Sequence, residues 1–80
     1  MQPSKLDKIL GLEIQRRRTE KGWSQEYLAE MTGLHRTYIS QLERGLKSPS
    51  VRVLSHITSA LSIKMSEFLR AVEESLSADG

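Results

Sequence analysis

Apolar residues along this chain recur at helical rather than alternating spacing, so no run predicts a strand and the expected fold class is all-α. A first helix is predicted over about Lys5–Lys21, with Leu6, Leu10 and Ile14 on one stripe. Gly22 ends it after a basic last turn, where cations suit the helix dipole. Ser24 is a good N-cap for a second helix over about Gln25–Thr32, and Trp23 before it can staple onto Leu28. Gly33 then breaks the chain. A third helix is expected from His35 or Arg36 to Arg44, stopped by Gly45.

Leu46-Lys47-Ser48-Pro49 reads as a loop, and Ser50 or Ser48 as the cap of a fourth helix ending near Leu61. Its apolar stripe is Val51, Leu54, Ile57 and Leu61. Ser66 is the expected cap of a fifth helix over about Glu67–Leu76, with residues 77–80 frayed. Eighty residues make one domain with a small core, about 5–76, and the helix-turn-helix spans about 24–45.

The polar face of the third helix carries the functional signal. Ile39 and Leu42 form its core stripe, whereas Arg36, Thr37, Ser40, Gln41 and Arg44 share the opposite arc. Every member of that arc is cationic or hydrogen-bonding, and none is acidic. Arginine can grip guanine through O6 and N7, glutamine can grip adenine, and threonine offers a hydroxyl and a methyl. An ordinary solvated face would mix glutamate with lysine. On the second helix, Ala29 is small enough for a close crossing, and Gln25 sits at the N-terminus, where a helix meets a phosphate.

Charge and composition narrow the classes. Net charge is +2: residues 1–49 hold nine Lys/Arg against six Asp/Glu (+3), and residues 50–80 three against four (−1). The basic bias is slight and points weakly to nucleic acid. No cysteine is present, which excludes disulfides, thiolate metal sites and a cysteine nucleophile. The two histidines have no carboxylate cluster, so no metal site is expected; His56 reads as a surface residue. The serines have no His/Asp framework, so no enzyme, cofactor or small-molecule ligand is expected. MQPSKLDKIL has no long apolar stretch, so neither a signal peptide nor a membrane span is expected, and a cytoplasmic location is. Scarce aromatics argue against single-strand binding, and Trp23 and Phe68 read as core or staple residues.

Ser24-Gln25-Glu26-Tyr27-Leu28-Ala29, through Gly33-Leu34, to Ile39-Ser40-Gln41-Leu42-Glu43-Arg44-Gly45 resembles the phage repressor/Cro superfamily, or XRE family. Its pattern is SQxxLAxxxGxxxxxIxxLExG, extended by Pro49-Ser50, Leu54, Leu61 and Ile63, and upstream by Leu10-Gly11, Ile14, Arg18 and Gly22. The resemblance covers roughly residues 9–69. The Arg36-Thr37-Tyr38-Ile39-Ser40 run is most similar to controller proteins of restriction–modification systems, which are small five-helix dimers without a ligand domain.

That resemblance implies base contacts from Arg36, Thr37 and Gln41, with Tyr38 and Ser40 beside them. It implies backbone contacts from Gln25, Arg44 and Lys47. His35, opening the helix, is expected either at a phosphate or as a plain first-turn residue. In relatives, residues matching Arg18 and Glu43 pair, and here they read as a structural brace. Arg17 stands where relatives often carry an apolar residue. Three consecutive residues spread over about 200° of helix, so Arg16, Arg17 and Arg18 cannot share one surface. Arg16 or Arg17 is expected to be solvated.

A single small module buries little DNA surface, so specificity predicts a homodimer on a palindromic operator. The candidate interface is Val53, Met65, Leu69 and Val72. Such a dimer could block RNA polymerase or touch it. The rival readings are a DNA-binding antitoxin of a toxin–antitoxin pair and a protein-interaction adaptor on the same fold.

Overall fold

The computed structural model of the protein describes residues 4–78, which form five helices joined by short turns. These are α1 (Lys5–Glu20), α2 (Gln25–Thr32), α3 (Arg36–Glu43), α4 (Val51–Ala60) and α5 (Met65–Ala78). Serine hydroxyls start three of them. Ser4 accepts from the Asp7 amide, Ser24 from Tyr27 and Ser50 from Val53, each at 3.0 Å. Ser50 is therefore the cap of α4, and Ser48 lies outside it. Each such cap contributes about 1 kcal/mol by satisfying an orphan amide of the first turn.

α5 begins earlier than expected. The Phe68 amide donates to Lys64 O at 3.0 Å, which puts Ser66 inside the first turn rather than at its cap. The preceding closure leaves little slack, because Ile63 N donates back to Thr58 O at 3.0 Å and Ser62 takes a left-handed φ of 58°. At its other end α5 runs through Ser77 and Ala78 with Leu76 packed on the core; the rest of the expected frayed tail lies outside the described residues.

α1 packs on both α3 and α5, α2 sits against α3 and α4, and α4 closes onto α5. Phe68, Ile14, Leu28, Ile39, Leu42, Ile57 and Val72 are fully buried where these elements meet. Two stripes differ from expectation at their first members. Leu6 keeps 44% of its surface exposed and Val51 74%, because each lies in the first turn of its helix, ahead of the core. Thr58 replaces Val51 on the inner side of α4, its hydroxyl donating to Leu54 O at 3.0 Å. Val72 is corrected as an interface residue: it is 2% exposed inside the core and has no surface to offer a partner. Trp23 finds the Tyr27 ring, edge-on at 4.8 Å between centroids.

The seat of α3 on α1 is made by backbone. Gly11 is buried in the middle of α1, and a Cβ there would lie 2.7 Å from the Glu43 carbonyl oxygen. Gly45, just past α3, has φ 73°, and a Cβ on it would lie 2.8 Å from Lys8 Cα. Two helices approach this closely only where side chains are missing.

Gly11→Ala is expected to lower stability by about 1–3 kcal/mol, the usual cost of overpacking. Urea denaturation checks it, with exposed Gln15→Ala expected to stay within about 0.5 kcal/mol of wild type.

Candidate nucleic-acid interface

α2 and α3 are eight residues each and are joined through Gly33, whose φ of 74° lets Leu34 N return to Ala29 O at 3.2 Å. Ala29, 7% exposed, lies at the core side of α2, where its small side chain permits the close crossing. α3 then buries Ile39, Leu42 and Glu43 and turns its other side outward. Arg36 and Thr37 are exposed, and Ser40, Gln41 and Tyr38 are half-buried, Tyr38 packing against the core. His35 is exposed at the N-cap and makes no side-chain cap bond. Arg44 at the C-cap and Lys47 in the following loop are exposed.

Glu43 is the one acidic residue of α3, and it points inward. Arg18 Nε lies 2.7 Å from Glu43 Oε2 and Arg18 Nη2 2.9 Å from Oε1, a two-pronged pair. The remaining Nη1 donates to Trp23 O at 2.8 Å, which ties in the turn before α2. Gln25 Nε2 donates to Glu43 Oε1 at 2.9 Å. A carboxylate whose side chain is 2% exposed is thus held by donors from α1 and α2, and its charge is hidden from the outer face of α3.

The bond to Glu43 raises the Arg18 pKa above the ordinary arginine range, against the desolvation that lowers it. A raised folded-state pKa contributes stability that is complete below the unfolded value and is lost only as pH rises through the folded one. Arg18 therefore stays charged at every ordinary pH.

The arginine triplet is more fully paired than expected. Arg16 and Arg17 both reach Glu13, a carboxylate buried on α1: Arg16 Nε at 3.2 Å and Arg17 Nε at 2.7 Å. Arg16 also donates to Glu20 at 2.8 Å, and Arg17 Nη1 lies 3.8 Å from Glu67 on α5. Arg16 keeps 50% of its side chain exposed, as expected of a solvated residue, while Arg17 keeps 21%; both are also paired, since an unpaired Glu13 would be a costly buried charge. Bonding to Glu13 raises the Arg16 pKa. Spacing of three and four residues could have revealed this network.

Gln25, expected at the DNA backbone, also donates its amide nitrogen inward to Glu43. By contrast, the side chains of His35, Arg36, Thr37, Gln41, Arg44 and Lys47 have no hydrogen bond or ion pair within the described residues. Charge is sorted accordingly. The arginines of α1 are bound by carboxylates, whereas Arg36 and Arg44 have no such partner among the described residues.

A short helix, a glycine turn and a second helix with an outward face free of carboxylates define a DNA-binding helix-turn-helix protein. The family model described as helix-turn-helix matches residues 14–68, and the chain belongs to this XRE-type family of DNA-binding transcriptional regulators, which are not enzymes. It is 34% identical over 67 residues to an HTH-type transcriptional regulator, y4dJ, of Sinorhizobium fredii, covering 84% of this chain and 87% of that protein. It is also 34% identical over 64 residues to the regulator SutR of Escherichia coli, covering 80% of this chain and 36% of SutR. The chain thus spans about a third of the one relative and most of the other. Among solved structures, the wild-type restriction–modification controller protein C.Esp1396I superposes with a TM-score of 0.86 at 31% identity, over 94% of this chain and 97% of that one.

Arg18→Met strands the buried Glu43 charge and is expected to cost about 3–5 kcal/mol in thermal or urea unfolding. The double variant Arg18→Met/Glu43→Met removes that unpaired charge and is expected to recover a large part of the loss.

Proposed function

We propose that this chain acts as a homodimeric regulator in the cytoplasm, placing α3 in the major groove of a palindromic operator. The observation that carries this reading is the carboxylate-free outer face of α3, whose one acid is held inward by Arg18 and Gln25. In this arrangement Arg36, Thr37 and Gln41 read base edges, with Tyr38, Ser40 and His35 beside them. Arg44 and Lys47 hold phosphates. Free side chains suit such work because binding breaks no internal ion pair.

Similarity to a restriction–modification controller protein along nearly its whole length supports a regulator of that kind. In this reading the two copies touch each other between half-sites about 34–36 Å apart. Leu69, 38% exposed on α5, and half-buried Met65 and Val53 form the apolar surface for that contact. A dimer near a promoter acts by blocking RNA polymerase or by touching it. In this reading occupancy follows protein concentration through the dimer equilibrium.

The test is a binding titration on the DNA upstream of the protein's own gene. Arg36→Ala and Gln41→Ala are each expected to lose about 1–3 kcal/mol on the specific site and little on random duplex. Equal losses on both duplexes would reassign them to the DNA backbone, and the absence of any salt-sensitive specific binding by the native protein would favour a protein-interaction adaptor. Sedimentation should show a dimer that Leu69→Glu dissociates; a monomer at high concentration would sink the two-fold arrangement.

A further inference from the structure

The basic residues of α1 differ in their surroundings. Toward its C-terminal end Arg16 and Arg17 take Glu13, at spacings of three and four residues, and Arg18 takes Glu43. Lys8, nearer the start of the helix, has no acid at those spacings: the residues there are Ser4, Lys5, Gly11 and Leu12. It is exposed, and its ammonium has no hydrogen bond or ion pair among the described residues.

Its place is set by the seat of α3 on α1. A Cβ on Gly45 would lie 2.8 Å from Lys8 Cα and 2.9 Å from Lys8 Cγ, so the stem of the lysine runs across the glycine that follows α3. Gly45 N donates to Leu42 O at 3.0 Å and Leu46 N to Gln41 O at 2.9 Å, which holds that turn in shape. Arg44 precedes the glycine and Lys47 follows it by two residues, both exposed. A cation from α1, one from the cap of α3 and one from the next loop therefore flank a single residue that has no side chain. Glu43, the acid nearest to it in sequence, is held in the interior by Arg18 and Gln25.

We propose that Lys8 is a further phosphate-binding residue, which extends the DNA-backbone contact of Arg44 and Lys47 from the end of α3 onto α1. This role rests on the reading of α3 as the helix that meets DNA. A lysine ammonium acts on a phosphodiester strand as a point charge on a flexible stem. Cations from three segments can hold phosphates of that strand without reading a base. Having no carboxylate to leave, Lys8 meets the strand without breaking an internal ion pair. It contributes affinity and no sequence preference.

Salt titrations of the full chain, on the DNA upstream of its own gene and on random duplex, test this. Lys8→Gln removes the charge and keeps the Cβ–Cγ stem that lies on Gly45. It is expected to weaken binding to both duplexes by the same factor, roughly eightfold per bound copy at about 0.1 M salt. The slope of log affinity against log salt should become shallower by about 0.9 per bound copy. Lys8→Arg should keep both affinity and slope. Lys64→Gln, the same loss of charge in the turn between α4 and α5, should keep the slope, which separates a contact from a change in net charge.

Melting of Lys8→Gln without DNA should match wild type. An unchanged slope in Lys8→Gln, a loss confined to the specific duplex, an equal fall in Lys64→Gln, or a melting midpoint that drops along with the affinity overturns the phosphate role. Failure of the reading of α3 is distinguishable. In that case the native protein binds random duplex with its full salt dependence and prefers no operator, while Lys8→Gln still lowers the slope. Native protein that binds no duplex at all overturns both.

Discussion

The carboxylate of Glu43 organises this small fold. Almost completely removed from water, it would be prohibitive to bury alone. Arg18 supplies a two-pronged partner from α1, and its third nitrogen reaches the Trp23 carbonyl in the turn before α2. Gln25 adds a donor from α2 itself. A single anionic group is therefore bonded to every element that supports α3 on this side. A well-packed apolar replacement of such a pair can be equally stable, so its burial is by itself weak evidence of net stabilisation.

Steric contact does the complementary work. Gly11 and Gly45 let α3 lie against the backbone of α1, with no room for a Cβ at either place. A glycine inside a helix costs about 1 kcal/mol relative to alanine, and here that cost allows a closer approach than any side chain permits. Ion pairing and close contact act at neighbouring positions, since Gly11 meets the backbone of Glu43 itself. α3 is consequently held near its C-terminal end, and its N-terminal turn projects from a fixed base.

Electrostatic sorting follows from the same design. Glu13 gathers Arg16 and Arg17, Glu43 gathers Arg18, and the cations of α3 are left without internal partners among the described residues. A net charge of +2 understates the contrast, because the distribution of pairing differs more than the total. A face already free of internal bonds can meet a polyanion without first breaking contacts, and a hidden carboxylate does not repel it.

The helices, the Ser24 cap and the outward arc of α3 were legible in the sequence, because each depends on near neighbours and on a 3.6-residue period. The expected Ser66 cap was not borne out, since Ser66 lies inside α5. The Arg18–Glu43 pairing followed from family resemblance, being 25 positions apart and invisible to local spacing. Tertiary structure decided the rest. It sent the Gln25 amide inward, placed Val72 inside the core, and bound Arg16 and Arg17 to Glu13. It also gave the mid-helix glycine at position 11, present in the sequence as a match to the family pattern, its steric reason. Periodicity determines which side of a helix is apolar. Which group a polar side chain meets depends on the approach of other helices, and that distance is set by the packed core.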